Sequence, residues 1–400
     1  MKKIKFLILG AGPTGLSLAN ILLDGGVERD QLIVVEKESE PGGLCRSRMV
    51  DGSPLDIGGG HFLDVKNKQA TNFLFKFMPE HEWQKFSRVS KIAIDSFLID
   101  YPIESNIWQL PKEDQIDYLE ALVKSGSVLG EPAPNNFIEW IYWKFGEKIA
   151  NEYMVPYNSK IWSGSLDRLG IGWLHKLPNI SFREMLESCL NKHSLGAVPA
   201  HGEFFYPKKY GYGEVWRRMG ARLGDCLKLS CPVDSIDIAS RAVNDRWQCN
   251  FIINTIPWTI WPKICNLPPL VEQKIEALLH NSIDVNYRDM PLSSDAHWIY
   301  EPSLACDYHR LLLRGNFIPG AKGHWTETNS LRSDPFVVPT YRNHFAYPIN
   351  TTSKIGDISY IQNWALENGI IGAGRWGKWE HMNSDVAVSE AIALSSQLLK

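Results

Sequence analysis

The 400-residue chain predicts an α/β fold, a Rossmann-like dinucleotide-binding domain with an inserted helical domain and an antiparallel β-sheet domain. Three observations carry that prediction. The chain opens on a strand–glycine turn–helix–strand–acid unit: Lys3–Leu9, Gly10-Ala11-Gly12-Pro13-Thr14-Gly15, Leu16–Leu23, Leu32–Val35, then Glu36. Helical patterns fill the stretch from Trp108 to about Leu195. Short alternating runs at Lys91–Tyr101, Phe204–Pro207, Trp298–Tyr300 and Tyr308–Arg314 read as strands of an antiparallel sheet.

In the first unit, an apolar run that breaks into glycines after Leu9 reads as a buried parallel strand and not as an export signal. Gly10 and Gly12 permit a tight turn and close approach of a pyrophosphate, and Gly15 lets helix and strand pack. Pro13 and Thr14 open the helix, whose N-terminus offers unpaired N–H groups and a positive dipole end to phosphate. Glu36, followed by Lys37, stands where a carboxylate accepts from a ribose hydroxyl.

Two further glycine clusters follow. Glu40-Pro41-Gly42-Gly43-Leu44-Cys45-Arg46 comes directly after the second strand, and Asp56-Ile57-Gly58-Gly59-Gly60-His61 shortly after. Gly43, Gly59 and Gly60 allow backbone to approach a long cofactor, which favours a flavin dinucleotide, and Arg46 is placed to neutralise a phosphate. Downstream, Lys112–Lys124, Asn136–Phe145, Lys148–Tyr153 and Ser181–Lys192 read as helices, with Pro132 and Pro134 as punctuation. Phe251–Pro257 and Gly369–Ile371 read as strands returning to the nucleotide-binding sheet, ahead of a C-terminal helix from about Ser384. The expected domains are therefore a discontinuous nucleotide-binding unit (1–90, 208–270 and 365–400), a helical insertion (103–200), and a sheet lining the substrate site (91–102, 201–207 and 290–350).

Composition narrows the function. Lys plus Arg number 42 against 45 Asp plus Glu, a net −3 that argues against a nucleic-acid partner. No apolar run reaches the ~18–20 residues of a membrane span. Seven scattered cysteines without a C-x-x-C signal neither a disulfide framework nor a metal site, in keeping with a reducing cytoplasm. The 15 tryptophans give an excess of flat apolar surface, as stacking of sugars and bases requires.

Four polar-aromatic clusters lie in the inserted regions: Tyr101–Asn106, Tyr157–Trp162, Tyr308-His309-Arg310 and Ala346-Tyr347-Pro348. None forms a Ser-His-Asp triad. Tyr101-Pro102 with Asn106, Leu110–Gln115, Pro156-Tyr157-Asn158-Ser159-Lys160-Ile161-Trp162, Tyr347-Pro348 and Gly374-Arg375-Trp376-Gly377-Lys378-Trp379 occur in an order and spacing that resemble UDP-galactopyranose mutases. These are flavoenzymes, related to amine oxidases, that interconvert six- and five-membered ring forms of a nucleotide-linked galactose.

The resemblance implies FAD as cofactor, acting when reduced, with N5 attacking the anomeric carbon and NAD(P)H or another donor as reductant. It places the uridine clamp on Tyr101, Asn158 and Trp162, and the diphosphate donors on Arg310 and Tyr347, with Tyr300 upstream on the same sheet. His61 and Arg88 match residues beside the isoalloxazine, Gly374 and Arg375 a flavin-contacting turn, and Asn383 a polar residue near the sugar. Arg310, Tyr347, His61 and Arg88 are the implied catalytic set. The sequence departs from the pattern at Lys176, nearest in sequence to a missing diphosphate arginine, at His381 in place of a tyrosine, and at Glu104 where glutamine is common. Lysine lacks the arginine fork, and histidine changes charge near neutrality, so the identity of the sugar stays open. The alternative is an FAD-dependent oxidase or dehydrogenase of the amine oxidase or protoporphyrinogen oxidase type. It would share the N-terminal glycines without needing the Tyr157–Trp162 stretch or Arg310.

Overall fold

The computed structural model describes residues 1–163, 166–174, 180–196 and 201–400. Lys2–Leu9 lies at the centre of a seven-stranded sheet, parallel to Leu32–Val35 on one side and to Trp247–Asn254 on the other. Leu227–Lys228 extends the first edge, and Ile370–Gly372 pairs with the far side of Trp247–Asn254. The period-2 geometry of the strand sorts its apolar residues. Phe6 and Ile8 join a core with Leu18, Leu22, Val388 and Ala391, whereas Leu7 and Leu9 join one with Trp258, Ile361 and Ala365. Helices thus cover both faces, which is why a continuous apolar run was needed.

A second seven-stranded sheet runs in the order Tyr341–Pro348, His280–Arg288, His324–Asn329, Arg310–Leu312, Trp298–Tyr300, Ser90–Ile94, Phe97–Asp100. All pairings are antiparallel except that of Trp298–Tyr300 with Ser90–Ile94. Two boundaries differ from expectation. The sheet begins at His280 rather than near 290, because the polar residues of His280–Arg288 are matched across the strands: Arg342 donates to both oxygens of buried Asp284 at 2.7 and 2.8 Å. The 201–207 segment does not join this sheet. Glu203–Pro207 pairs with Leu63–Asp64 and Trp83–Ser87 in a separate three-stranded sheet, held by an aromatic core in which Phe204 packs on Phe62 at 4.5 Å and on Phe86 at 5.4 Å.

The helical insertion includes Lys112–Val123, Phe137–Ile149 and Phe182–Asn191. Asn136 caps the second through a 2.9 Å bond from Glu139 N, and Ser181 with Glu184 forms a capping box on the third. The backbone breaks at Gly146 (φ +70°), between the expected Asn136–Phe145 and Lys148–Tyr153 helices, and the second runs on past Tyr153: a π-turn at Ala150–Met154 leads into Val155–Trp162. Pro156 has no N–H and crowds the carbonyl four residues back, and the wider turn accommodates it. The motif Tyr157–Trp162 is thereby presented on a helix. Among the described residues, no helix is long and apolar enough to cross a membrane, no group of three or more His, Cys, Asp or Glu could hold a metal ion, and all seven cysteines are unpaired.

Candidate active site

A cavity of about 410 Å³ opens above the carboxyl ends of the parallel strands. Its floor is the first glycine turn. Gly10, Gly12, Pro13 and Thr14 line it, while Gly15 faces inward, where a Cβ would stand 2.1 Å from the Gly10 carbonyl oxygen. Only glycine lets the helix start that close to the strand. The helix Pro13–Asp24 begins at Gly12 with no side-chain cap, and Ser384–Leu398 begins at Asn383, whose side chain makes no capping bond. Two helix N-termini with free N–H groups therefore face one cavity, a setting for negative charge.

Glu36 and Lys37 lie on the wall, and Glu36 accepts from Ala11 N at 2.8 Å and Glu38 N at 3.0 Å, so the carboxylate also braces the glycine turn. Gly43 and Leu44 line the same wall. Arg46 donates to Gly43 O, Glu38 and Tyr341 OH at 3.0, 3.2 and 2.9 Å, so its charge is partly spent on Glu38. Gly374 sits behind the wall with φ +69°, and a Cβ there would come within 2.3 Å of Thr14 Oγ1. The chain after Ile370–Gly372 is thus locked against the first helix.

Arg375, His61 and Asn383 complete this cavity. Arg375 directs its donors to backbone oxygens, Ala346 O at 2.7 Å and Met382 O at 2.7 and 3.2 Å. Among the described residues no carboxylate lies within ion-pair distance of it, so it is a half-buried positive charge without a carboxylate counter-ion. His61 Nδ1 donates to Gly59 O at 2.9 Å. Burial, reinforced by the Arg375 and Arg310 charges, pushes its pKa down to about 3. The imidazole is therefore neutral, with Nε2 left as an acceptor.

A second cavity of about 260 Å³ lies between the antiparallel sheet and the motif helix. At one end are Arg310, Tyr347 and His381. Arg310 reaches Glu327 Oε2 through Nε at 2.9 Å and Nη2 at 2.5 Å. Burial opposes the guanidinium charge, but Glu327 and the surrounding phenols outweigh it and raise its pKa. Glu327, 1% exposed, also accepts Gly60 N at 2.8 Å, tying the third glycine cluster to the cation. Burial raises the Tyr347 phenol while Arg310 pulls it down. The Tyr347 ring packs against His381 at 4.8 Å and under the Arg375 guanidinium at 5.5 Å. The larger cavity's unpaired cation and the smaller cavity's phenol are thus in contact.

The other end is aromatic. Tyr101, Tyr153, Tyr157, Trp162 and Tyr300 line it, with Glu104 among them. Burial raises the Glu104 carboxyl to about 7. Asn158 is held within its own helix, donating to Met154 O at 2.7 Å and accepting from Trp162 Nε1 at 3.3 Å. Arg88 reaches neither cavity. It lies over the Tyr101 ring at 4.6 Å and Trp298 at 4.9 Å, and donates to Tyr300 OH at 3.1 Å, so it backs the aromatic wall from behind.

Of the residues singled out from sequence, the structure gathers Tyr101, Asn158, Trp162, Tyr300, Arg310, Tyr347 and His381 around the smaller cavity. Asn383 faces the larger cavity rather than the sugar end, because it starts the C-terminal helix there. Gly15, Gly59, Gly60, Gly374 and Arg88 act from behind the walls. Lys176 lies outside the described residues. Glu327 was missed; its signal is a lone acid in a strand, His324–Asn329, whose residues are all buried.

Residues 8–77 match the NAD(P)-binding Rossmann-like domain. A crystal structure of reduced UDP-galactopyranose mutase superposes with a TM-score of 0.87 over 99% of this chain and 94% of that one, at 21% identity. A protein from Exiguobacterium assigned as a protoporphyrinogen oxidase gives 0.71 over 99% and 98% of the two chains, at 14% identity. The flavin-containing amine oxidase A of Sus scrofa is 21% identical over 74% of this chain, which spans 57% of that enzyme's length. The chain has the Rossmann-like mixed α/β fold of these flavoproteins, as the glycine motifs predict, and its resemblance to UDP-galactopyranose mutase extends along the whole fold.

Proposed function

We propose that the protein is an FAD-dependent isomerase that interconverts pyranose and furanose forms of a nucleotide sugar of the UDP-galactose kind. The observation that carries this reading is the contact between Tyr347, beside Arg310, and Arg375, which joins the cavity floored by the glycine turn to a cation-ended aromatic one. The cradle fits FAD. The glycine turn and the two uncapped helix starts suit its diphosphate and an anionic ring, and Glu36 suits its ribose. When bound and reduced, FAD supplies an electron-rich ring able to attack an anomeric carbon without net oxidation.

The chain's own residues perform the rest. The Nε and Nη2 groups of Arg310 are committed to Glu327, so its remaining N–H groups are what it offers a departing diphosphate. Because Glu327 fixes the guanidinium beforehand, little reorganisation is needed when charge develops. Tyr347 adds a phenolic donor at the same end, and the tyrosines and Trp162 stack on the nucleoside. Arg375, lacking a carboxylate partner, stabilises negative charge on the cofactor side. His61 stays neutral and adds no competing cation. Lys176 and His381 then bear on which sugar is accepted.

Ring exchange in anaerobic, dithionite-reduced protein tests this reading. A panel of UDP-, dTDP- and GDP-sugars should yield furanose from one of them, with the flavin still reduced at the end. The second reading, an amine-type oxidase, rests on the likeness to amine oxidase A. It requires an amine that bleaches the flavin directly and no ring exchange.

A further inference from the structure

Lys160, like Ser159, is a member of the Tyr157–Trp162 motif that does not line the ligand cavity. It is fully buried, at 0% exposure, and its Nζ donates to Glu301 O at 2.9 Å and Ser303 O at 2.7 Å. Cys306 Sγ stands 3.5 Å from the same nitrogen, and the Tyr308 ring lies 5.6 Å away. Among the described residues no carboxylate comes within ion-pair distance of Lys160. Burial lowers the pKa of its ammonium, while Cys306 and Glu301 act to raise it. Cys306 is only half-buried, so a small oxidant can reach it. A buried lysine nitrogen facing an accessible thiol becomes a nucleophile once it gives up a proton, and one oxidation of the sulfur turns the thiol into its electrophile.

We propose that Lys160 and Cys306 form an oxidative cross-link site that loosens the hold on the ligand's diphosphate. The oxidant is hydrogen peroxide, which any reduced flavin produces when it meets dioxygen. In the first step sulfur gives two electrons to peroxide. The S–O bond forms, the O–O bond breaks, and one water leaves with the thiol proton, giving a sulfenic acid. In the second, the Lys160 ammonium gives one proton to solvent and its nitrogen lone pair attacks that sulfur. The N–S bond forms, the S–O bond breaks, and a second water carries off the hydroxyl with one amine proton. The product is a sulfenamide, and an external dithiol reverses it.

The position of the pair gives the cross-link its effect. Lys160 lies on the helix that carries Tyr157, Asn158 and Trp162, and Cys306 on the 301–309 loop that leads into Arg310. Today the amine serves two loop carbonyls. A sulfenamide nitrogen keeps one hydrogen, so at least one of those bonds is lost. Atoms now 3.5 Å apart are also drawn to bonding distance. The loop must move, and Arg310 with it.

The test uses full-length, flavin-loaded protein treated with graded hydrogen peroxide, alkylated, digested and mapped by mass spectrometry, with UDP affinity measured by titration on the same samples. The expected result is one pair of joined peptides holding residues 160 and 306, lighter by two hydrogens than their sum and released by dithiothreitol. UDP affinity should fall by about tenfold as it forms. Cys306→Ser should keep its initial affinity and lose the peroxide effect. Lys160→Arg, which retains donors for the carbonyls, should stop at a sulfenic acid trapped by dimedone. Recovery of Cys306 as a free thiol or a sulfinic acid, with Lys160 unmodified, overturns the proposal, and so does a complete cross-link that leaves UDP affinity unmoved. The affinity readout rests on the nucleotide-sugar reading: failure of untreated protein to bind UDP would strike that reading, while the joined peptides would still decide the chemistry.

Discussion

Replacing Arg310 with alanine removes two things at once, and the structure allows them to be separated. Arg310 makes two short bonds to Glu327, which is 1% exposed and otherwise, among the described residues, has only the Gly60 N–H at 2.8 Å and His309 Nε2 at 3.8 Å. Burial, with the Arg310 and Lys160 charges, holds the His309 pKa well below its ordinary value, so that ring cannot take over as the cation. A buried carboxylate stripped of its partner costs about 3–5 kcal/mol of stability. Loss of the diphosphate donor should cost a further 2–4 kcal/mol of transition-state stabilisation, about 30- to 1,000-fold in kcat/KM for ring exchange. Adding Glu327→Gln to the alanine variant removes the stranded charge. The double variant should regain most of the lost stability in urea unfolding while its turnover stays at the level of the single variant. A single variant with near-normal turnover, or a double variant as unstable as the single one, would refute this account of the pair.

Three further outcomes follow from the geometry. Gly15→Ala puts a Cβ 2.1 Å from a backbone oxygen, so purified protein should carry less than about a tenth of the flavin absorbance of the wild type, measured after gel filtration. Arg375→Gln leaves two carbonyls short of donors and removes the unpaired cation. It should lower the flavin midpoint potential in a dye-equilibration titration, whereas an unchanged potential would remove the charge role given to Arg375. Glu104 titrates at about 7 in the folded chain against an ordinary glutamate value when unfolded, so between roughly pH 4.3 and 7 the native state holds a proton that the unfolded state has lost. Glu104 should therefore make stability fall as pH rises through that window. The Lys144 amine opposes the shift, and the Tyr101 and Tyr153 phenols beside it stay neutral there. Glu104→Gln should be less sensitive than wild type between pH 5 and 7.5 in urea midpoints.

The parallel half of the fold was legible because its signals are local. Phe6 and Ile8 face one core and Leu7 and Leu9 the other, so the strand had to be apolar throughout, and Gly10–Gly15 and the helix from Ser384 fall where the pattern puts them. The antiparallel half was less legible because its polar residues are matched across strands. Buried Asp284 is matched by Arg342 from the next strand and by Ser330, and one sequence does not show that pairing. Glu327 was hidden for the same reason: its partners, Arg310 and Gly60, are distant in the chain. Tyr157, Asn158 and Trp162 stood out as a motif, but their helix was not foreseen, since Pro156 within it reads as a breaker. Phe204–Pro207 showed as a strand, yet its alternation is silent on which sheet it joins.

The most direct measurement is a crystal structure of the reduced, FAD-loaded protein soaked with the nucleotide sugar that it converts. The account predicts the diphosphate on Arg310 and Tyr347, the base among Tyr101, Tyr157 and Trp162, and the anomeric carbon turned across the Tyr347–Arg375 contact toward the flavin ring. A diphosphate bound away from Arg310, or a sugar turned away from the flavin, would contradict it.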